Sequence, residues 1–80
     1  MKLFAKVEYP NAGWESDRKD VETLDFTKMY EVDCVSMGQS YTNICLKDLK
    51  GCFNSVNFEF YNENGEKVNI FSMPEYNPYL

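Results

Sequence analysis

Apolar and polar residues alternate through most of this chain, and a period of two is the signature of strands with one buried face. Leu3, Ala5, Val7 and Tyr9 alternate with Phe4, Lys6 and Glu8. This predicts a first strand ended by Pro10, since proline cannot donate to a ladder. From Met29 to Met37 the pattern predicts a second strand, with Tyr30, Val32 and Cys34 on one face and Glu31 and Asp33 on the other. Gly38-Gln39 supplies a tight turn into a third strand, Ser40 to Lys47, with Thr42, Ile44 and Leu46 inward. Asp48-Leu49-Lys50-Gly51 is the next turn. Cys52 to Tyr61 carries Phe53, then Val56, Phe58 and Phe60, interrupted at Asn54-Ser55. Both of those side chains compete for backbone groups, which favours a bulge or a 3₁₀ turn. Asn62-Glu63-Asn64-Gly65 is the strongest hairpin signal, with Asn-Gly suited to a type I′ turn. It leads into a last strand with Val68 and Ile70 inward.

Two segments break the pattern. Residues 10–27 are polar and acidic, holding Glu15, Asp17, Asp20, Glu22 and Asp25 with Trp14 among them. Ser16 can cap one short helical turn with Val21 and Leu24 on its inner face, but a long solvated loop is the favoured expectation. Residues 72–80 form a Tyr/Pro-rich tail in which Pro74 and Pro78 prevent a regular element. The rest reads as one all-β domain over residues 1–80, a small barrel of five or six mostly antiparallel strands. Barrel closure would hide the sheet edges.

The run Thr27-Lys28-Met29-Tyr30-Glu31-Val32, then Tyr41-Thr42-Asn43-Ile44, then Phe53-Asn54-Ser55-Val56-Asn57-Phe58-Glu59, resembles small SH3-like β-barrel proteins of phages and mobile elements of Gram-positive bacteria. Their pattern is a Lys-x-Tyr-x-Val strand, a middle hairpin, and a short polar turn into a Phe-Glu closing strand. The likeness covers roughly residues 24 to 60. The chain departs from it by a strand after Gly65 and by the tail. The resemblance implies an SH3-like barrel and a phage or mobile-element setting, and it carries no catalytic residues.

Composition narrows the chemistry. Eighty residues with 44% hydrophobic content, six Tyr, six Phe and one Trp can build one aromatic-rich core. The net charge is −5, and Arg18 is the sole arginine, so direct nucleic-acid binding is not expected. The chain has no histidine, so Cys34, Cys45 and Cys52 lack the usual base for a cysteine nucleophile and read as reduced, structural thiols. Tyr9, Trp14, Tyr30, Tyr41, Phe53 and Tyr61 could stack bases, but the basic companions are missing. The acidic residues show no ligand spacing, and neither metal nor cofactor is expected. With no leader-like apolar run and no membrane span, the expected location is the bacterial host cytoplasm.

These features point to a non-catalytic protein-binding module rather than an enzyme. Trp14, Glu15, Asp17, Asp20, Glu22, Tyr76 and Tyr79 are the candidate partner-binding residues, because aromatics anchor interfaces and acids steer basic partners. One specific version is an inhibitor of a nucleic-acid-targeting defence enzyme, of the anti-CRISPR kind. The alternative is a structural or accessory phage protein acting as a homo-oligomer.

Overall fold

In a computed structural model describing residues 2–80, six strands form one antiparallel sheet, with one short helix outside it. In chain order these are β1 (Phe4–Val7), α1 (Glu15–Val21), β2 (Tyr30–Met37), β3 (Thr42–Leu46), β4 (Phe53–Asn54), β5 (Phe58–Tyr61) and β6 (Lys67–Val68). A 3₁₀ helix at Ser55–Asn57 links β4 to β5, and a second follows β6 at Ile70–Ser72. The strand order is β4-β3-β2-β1-β5-β6, so the N-terminal strand lies in the middle.

Alternation sets the buried face. Leu3, Ala5 and Val7, then Ile44 and Leu46, then Phe58 and Phe60 all enter a single core, joined by Val21, Phe53 and Ile70. The Phe53 and Phe58 rings meet edge-on at 6.1 Å. Those residues belong to strands separated by three others. In a flat sheet they would sit about 19 Å apart, four strand spacings. Five residues of fully extended chain span about 17 Å, and a 3₁₀ helix spans less. The short β4–β5 connection therefore forces the sheet to curl. The Cα radius of gyration is 11.8 Å, against about 11.6 Å for a compact chain of this length.

The curl does not close. β4 and β6 are the two edges and do not pair, so the expected SH3-like barrel is not formed. Each edge strand is only two residues long. An asparagine ends each one. The side chain of Asn54 accepts from the Val56 N–H and that of Asn69 accepts from the Phe71 N–H, turning both backbones into 3₁₀ helices. The interruption expected at Asn54-Ser55 is thus present, whereas Ile70 is buried from a 3₁₀ helix rather than from a strand.

Three other local expectations are corrected. The pairing of β2 with β3 slips by one residue between Val32 and Cys34. This bulge exposes Asp33 and Cys34 and turns Val35 and Met37 inward, so Cys34 does not share the Tyr30–Val32 face. The 62–65 turn is not type I′. The Gly65 N–H donates to the Asn62 carbonyl at 3.0 Å, and positive φ occurs at Gly65 but not at Asn64, which gives a type I turn followed by a glycine bulge. Finally, residues 10–27 are not one long loop, because α1 occupies the centre of the segment. Its boundary residue is Trp14, not Ser16. Val21 is fully buried and Leu24 packs against the core, as the inner-face reading expects.

The tail lies on the body. Tyr76 and Met73 pack against the core, and the Asn77 side chain donates to the Phe71 carbonyl at 2.8 Å. Tyr79 stays exposed.

One buried amide ties the N-terminal segment down. Asn57 is completely buried, and its Nδ2 donates to the carbonyls of Tyr9 (2.8 Å) and Ala12 (2.9 Å). Its own carbonyl accepts from the N–H groups of Glu8 and Tyr9, both at 3.1 Å. Asn57→Asp conserves shape but puts carboxylate oxygens against two carbonyls. Chemical denaturation should show a loss of about 2–4 kcal/mol; a loss below about 0.5 kcal/mol would mean the amide is not the clamp.

Candidate interaction groove

The unclosed edge of the curl is a groove of about 1010 Å³. One wall is Asn54, Ser55 and Val56, where β4 runs into the 3₁₀ helix; the other is Lys67 to Phe71, from β6 onward. Phe58, Phe60 and Ile70 are lining residues that are themselves buried, so the core supplies the floor. The β2–β3 turn, Gly38 to Thr42, closes one end, and Gly13, Trp14 and Asp17 complete the lining. Trp14, Tyr41, Val56 and Phe71 are large apolar side chains that remain exposed on this rim. Clustered exposed apolar groups are unusual on a monomer and mark interaction surfaces.

Trp14 is 70% exposed, yet its backbone is fixed from several sides. Its N–H donates to Asp17 Oδ2 at 2.9 Å, and the same oxygen accepts from Asn54 Nδ2 at 3.2 Å. Arg18 Nη1 donates to the Gly13 carbonyl at 3.1 Å. Gly13 has a φ of +79°, open to glycine and strained for other residues. A Cβ there would also lie 2.7 Å from Asp17 Oδ2 and 3.1 Å from Val56 Cγ1.

The acidic residues divide into two kinds. Asp17 is committed to holding Trp14 and Asn54, so it is not a free steering charge. Glu15, Asp20 and Glu22 are exposed on or next to α1, and Glu15 lies 3.6 Å from Lys19 in a solvated pair. Asp25, further along, accepts from the N–H and hydroxyl of Thr27, which hold its carboxyl below the ordinary value. Of the candidate residues, the groove therefore collects Trp14 and Asp17. Tyr76 and Tyr79 do not line it.

Tyr41, Val56 and Phe71 belong to the groove and were not among the candidates. Tyr41 carried a signal, since it stands opposite in phase to the inward Thr42, Ile44 and Leu46. Phe71 follows inward Ile70 in the same way. Val56 had none, because a 3₁₀ helix breaks the alternation that would have assigned its face.

Beside the groove, two tyrosine–carboxylate pairs cross-link β5 to the end of β1. The Tyr9 hydroxyl donates to Glu59 and the Tyr61 hydroxyl to Glu8. The Glu59 hydrogen bond raises the Tyr9 phenol above its ordinary value; burial and then Glu8 raise that of Tyr61. Among the described residues no group of three or more His, Cys, Asp or Glu is arranged to hold a metal ion, and no helix is long and apolar enough to cross a membrane.

Two measurements test this geometry. Gly13→Ala should destabilise the chain by about 1–3 kcal/mol and shift the emission of Trp14, the single tryptophan; unchanged stability and emission would show that the constraint is absent. A raised phenol means the folded state holds that proton more tightly. Its contribution is then complete below the unfolded value of about 10, and it is lost as pH rises through the higher folded value. Phenolate absorbance should accordingly lose amplitude from the high-pH end of its titration in Tyr9→Phe and again in Tyr61→Phe. Loss from the low-pH end instead would contradict the paired arrangement.

No curated protein and no solved structure matches the chain. A family model does match it, described as Bacteriophage T4 protein Y07B, over residues 2–80. That match supports a phage origin and carries neither an SH3-like barrel nor a Gram-positive host. Spanning nearly the whole sequence, it shows that the chain belongs to the Bacteriophage T4 protein Y07B family.

Proposed function

We propose that this phage-family protein is a non-catalytic protein-binding module that takes a segment of its partner into the open groove. The observation that carries the reading is Trp14. A large indole is held out in water on a backbone fixed by Gly13, Asp17 and Arg18, at the lip of an apolar groove. A preformed aromatic anchor loses little freedom on binding, and tryptophan dominates interface hot spots. Tyr41, Val56 and Phe71 extend the same apolar rim.

Charge selects the kind of partner. Glu15, Asp20 and Glu22 are presented to solvent just after Trp14, and the whole chain carries −5. Such a surface favours a basic partner and speeds its approach. In its finer form the proposal is inhibition of a bacterial nucleic-acid-targeting defence enzyme in the host cytoplasm, in the manner of an anti-CRISPR protein. There the acidic face would occupy ground otherwise taken by phosphates. Membership of a phage family supports that setting.

Wild-type chain and the variants Trp14→Ala and Phe71→Ala, each checked for folding, should be used to capture proteins from phage-host lysate. A stoichiometric basic protein held by wild type and lost with both variants is the expected result. Adding it back should shift Trp14 emission to shorter wavelength. Capture unaffected by either variant would overturn the groove as the site. Light scattering that shows a stable homo-oligomer built through Trp14 would favour the accessory-protein reading instead. The two-residue edge strands offer few unpaired backbone groups for such assembly.

A further inference from the structure

The outer face of the β2–β3–β4 half carries all three cysteines in one row. Cys34 stands opposite Cys45 in the β2–β3 ladder. The β3–β4 register pairs Asn43 with Asn54 and Ile44 with Phe53, and one step further along it Cys45 faces Cys52. Ile44, Leu46 and Phe53 point into the core, so the thiols beside them point out. Cys34 and Cys52 are exposed, Cys45 is half-buried between them, and none is bonded. The expectation that Cys34 shares the inward face of β2 is therefore corrected. The row exists because the β2 bulge brings Cys34 outward into register with Cys45.

Cys45 Sγ lies 3.1 Å from Cys52 Sγ. A disulfide bond is about 2.05 Å, so an approach of about 1 Å separates contact from bond. Cys52 precedes β4 in irregular chain and follows Gly51, which leaves it free to make that adjustment. The neighbouring thiols of Cys34 and Cys52 push the Cys45 thiol up to about 12. Cys45 is thus a poor first nucleophile, and an exposed neighbour is better suited to meet an oxidant.

We propose that Cys45 is the hub of a dithiol–disulfide site, closing a bond to Cys52 under peroxide and able to pass that bond to Cys34. In the first step the Cys52 thiol gives its proton to solvent and its thiolate attacks one peroxide oxygen; the O–O bond breaks, a sulfenic acid forms, and the departing hydroxide takes up that proton as water. In the second step Cys45 sulfur attacks the Cys52 sulfur. The S–O bond breaks, and the departing hydroxide takes the Cys45 proton as water. Two thiols and one hydrogen peroxide give one disulfide and two waters. The Cys34 thiolate can then attack Cys45 sulfur and release Cys52 as thiolate, with no net redox change. Both disulfide forms include Cys45 and leave one outer thiol free. The Cys45–Cys52 bond would staple edge strand β4 to β3, immediately before Asn54, Ser55 and Val56 of the groove wall.

The test uses the full chain, reduced, freed of reductant, diluted and exposed to hydrogen peroxide, with alkylation and peptide mapping as readout. Alkylatable thiols should fall from three to one in the monomer, with Cys45 joined to Cys52. Cys34→Ser should keep that bond. Cys52→Ser should reroute it to Cys34–Cys45. Cys45→Ser should lose intramolecular bonding while circular dichroism stays native. Three thiols remaining alkylatable, bonds forming only between chains, or a Cys34–Cys52 bond in wild type would each overturn the proposal.

Discussion

A single buried carboxamide organises this small protein. Asn57 sits between β5 and the segment leaving β1, and both its backbone and its side chain bond to residues 8–12. No ladder reaches those residues, because Pro10 interrupts donation and the chain must turn toward α1. Without Asn57 the Ala12 carbonyl would lose its side-chain donor, and the Tyr9 carbonyl would keep only the Ala12 N–H. With it, the backbone arrives at Gly13 in a defined position, and the indole of Trp14 is carried to the rim of the groove. Position 57 thus positions the groove rim on two sides, through its hydrogen bonds to residues 8–12 and through its chain neighbours Val56 and Phe58, although its own side chain does not line the groove.

The groove follows from an unfinished closure. The β4–β5 connection is too short for a flat sheet, so the sheet curls as a barrel does. Its two edges then fall short of each other, since each is cut to two residues by an asparagine that captures its own backbone. The apolar interior consequently reaches solvent along one line, between Val56 on one side and Phe71 on the other. β3 and β4 have different chemistry on their two faces. The inner face supplies Ile44, Leu46 and Phe53 to the core, and the outer face carries the thiol row.

How much of this was legible depended on whether alternation persisted. β1 and β3 read directly, because Leu3, Ala5 and Val7, and Thr42, Ile44 and Leu46, keep strict phase with the core. The break at Asn54-Ser55 was legible from side chains that compete for backbone bonds. The phase of β2 was misread, because a bulge at Asp33 changes the face of every later residue; its only mark is that Val35 and Met37 stand out of phase with Tyr30 and Val32, and Cys34 between them continues the earlier phase. Helix α1 was obscured by its composition: of Glu15–Val21 only Val21 is buried, so the apolar stripe that identifies a helix is missing. The open edge was beyond pattern reading altogether, since alternation gives the face of a residue and not the length of its ladder. Of the site, Trp14 and Asp17 were named from local character, while the rim formed by Tyr41, Val56 and Phe71 depends on long-range pairing.

The place of β1 in the sheet has a consequence for synthesis. Its partners on one side are Phe58 to Tyr61, more than fifty residues later in the chain. Strand β1 can meet β2 earlier, but its β5 partner, and the full shelter of Leu3, Ala5 and Val7, come only once residues 58–61 have been made. Pairings this distant close slowly and expose apolar surface to neighbours. Folding of this sheet therefore joins a local β2–β3 hairpin to a β1–β5 ladder that spans most of the described chain.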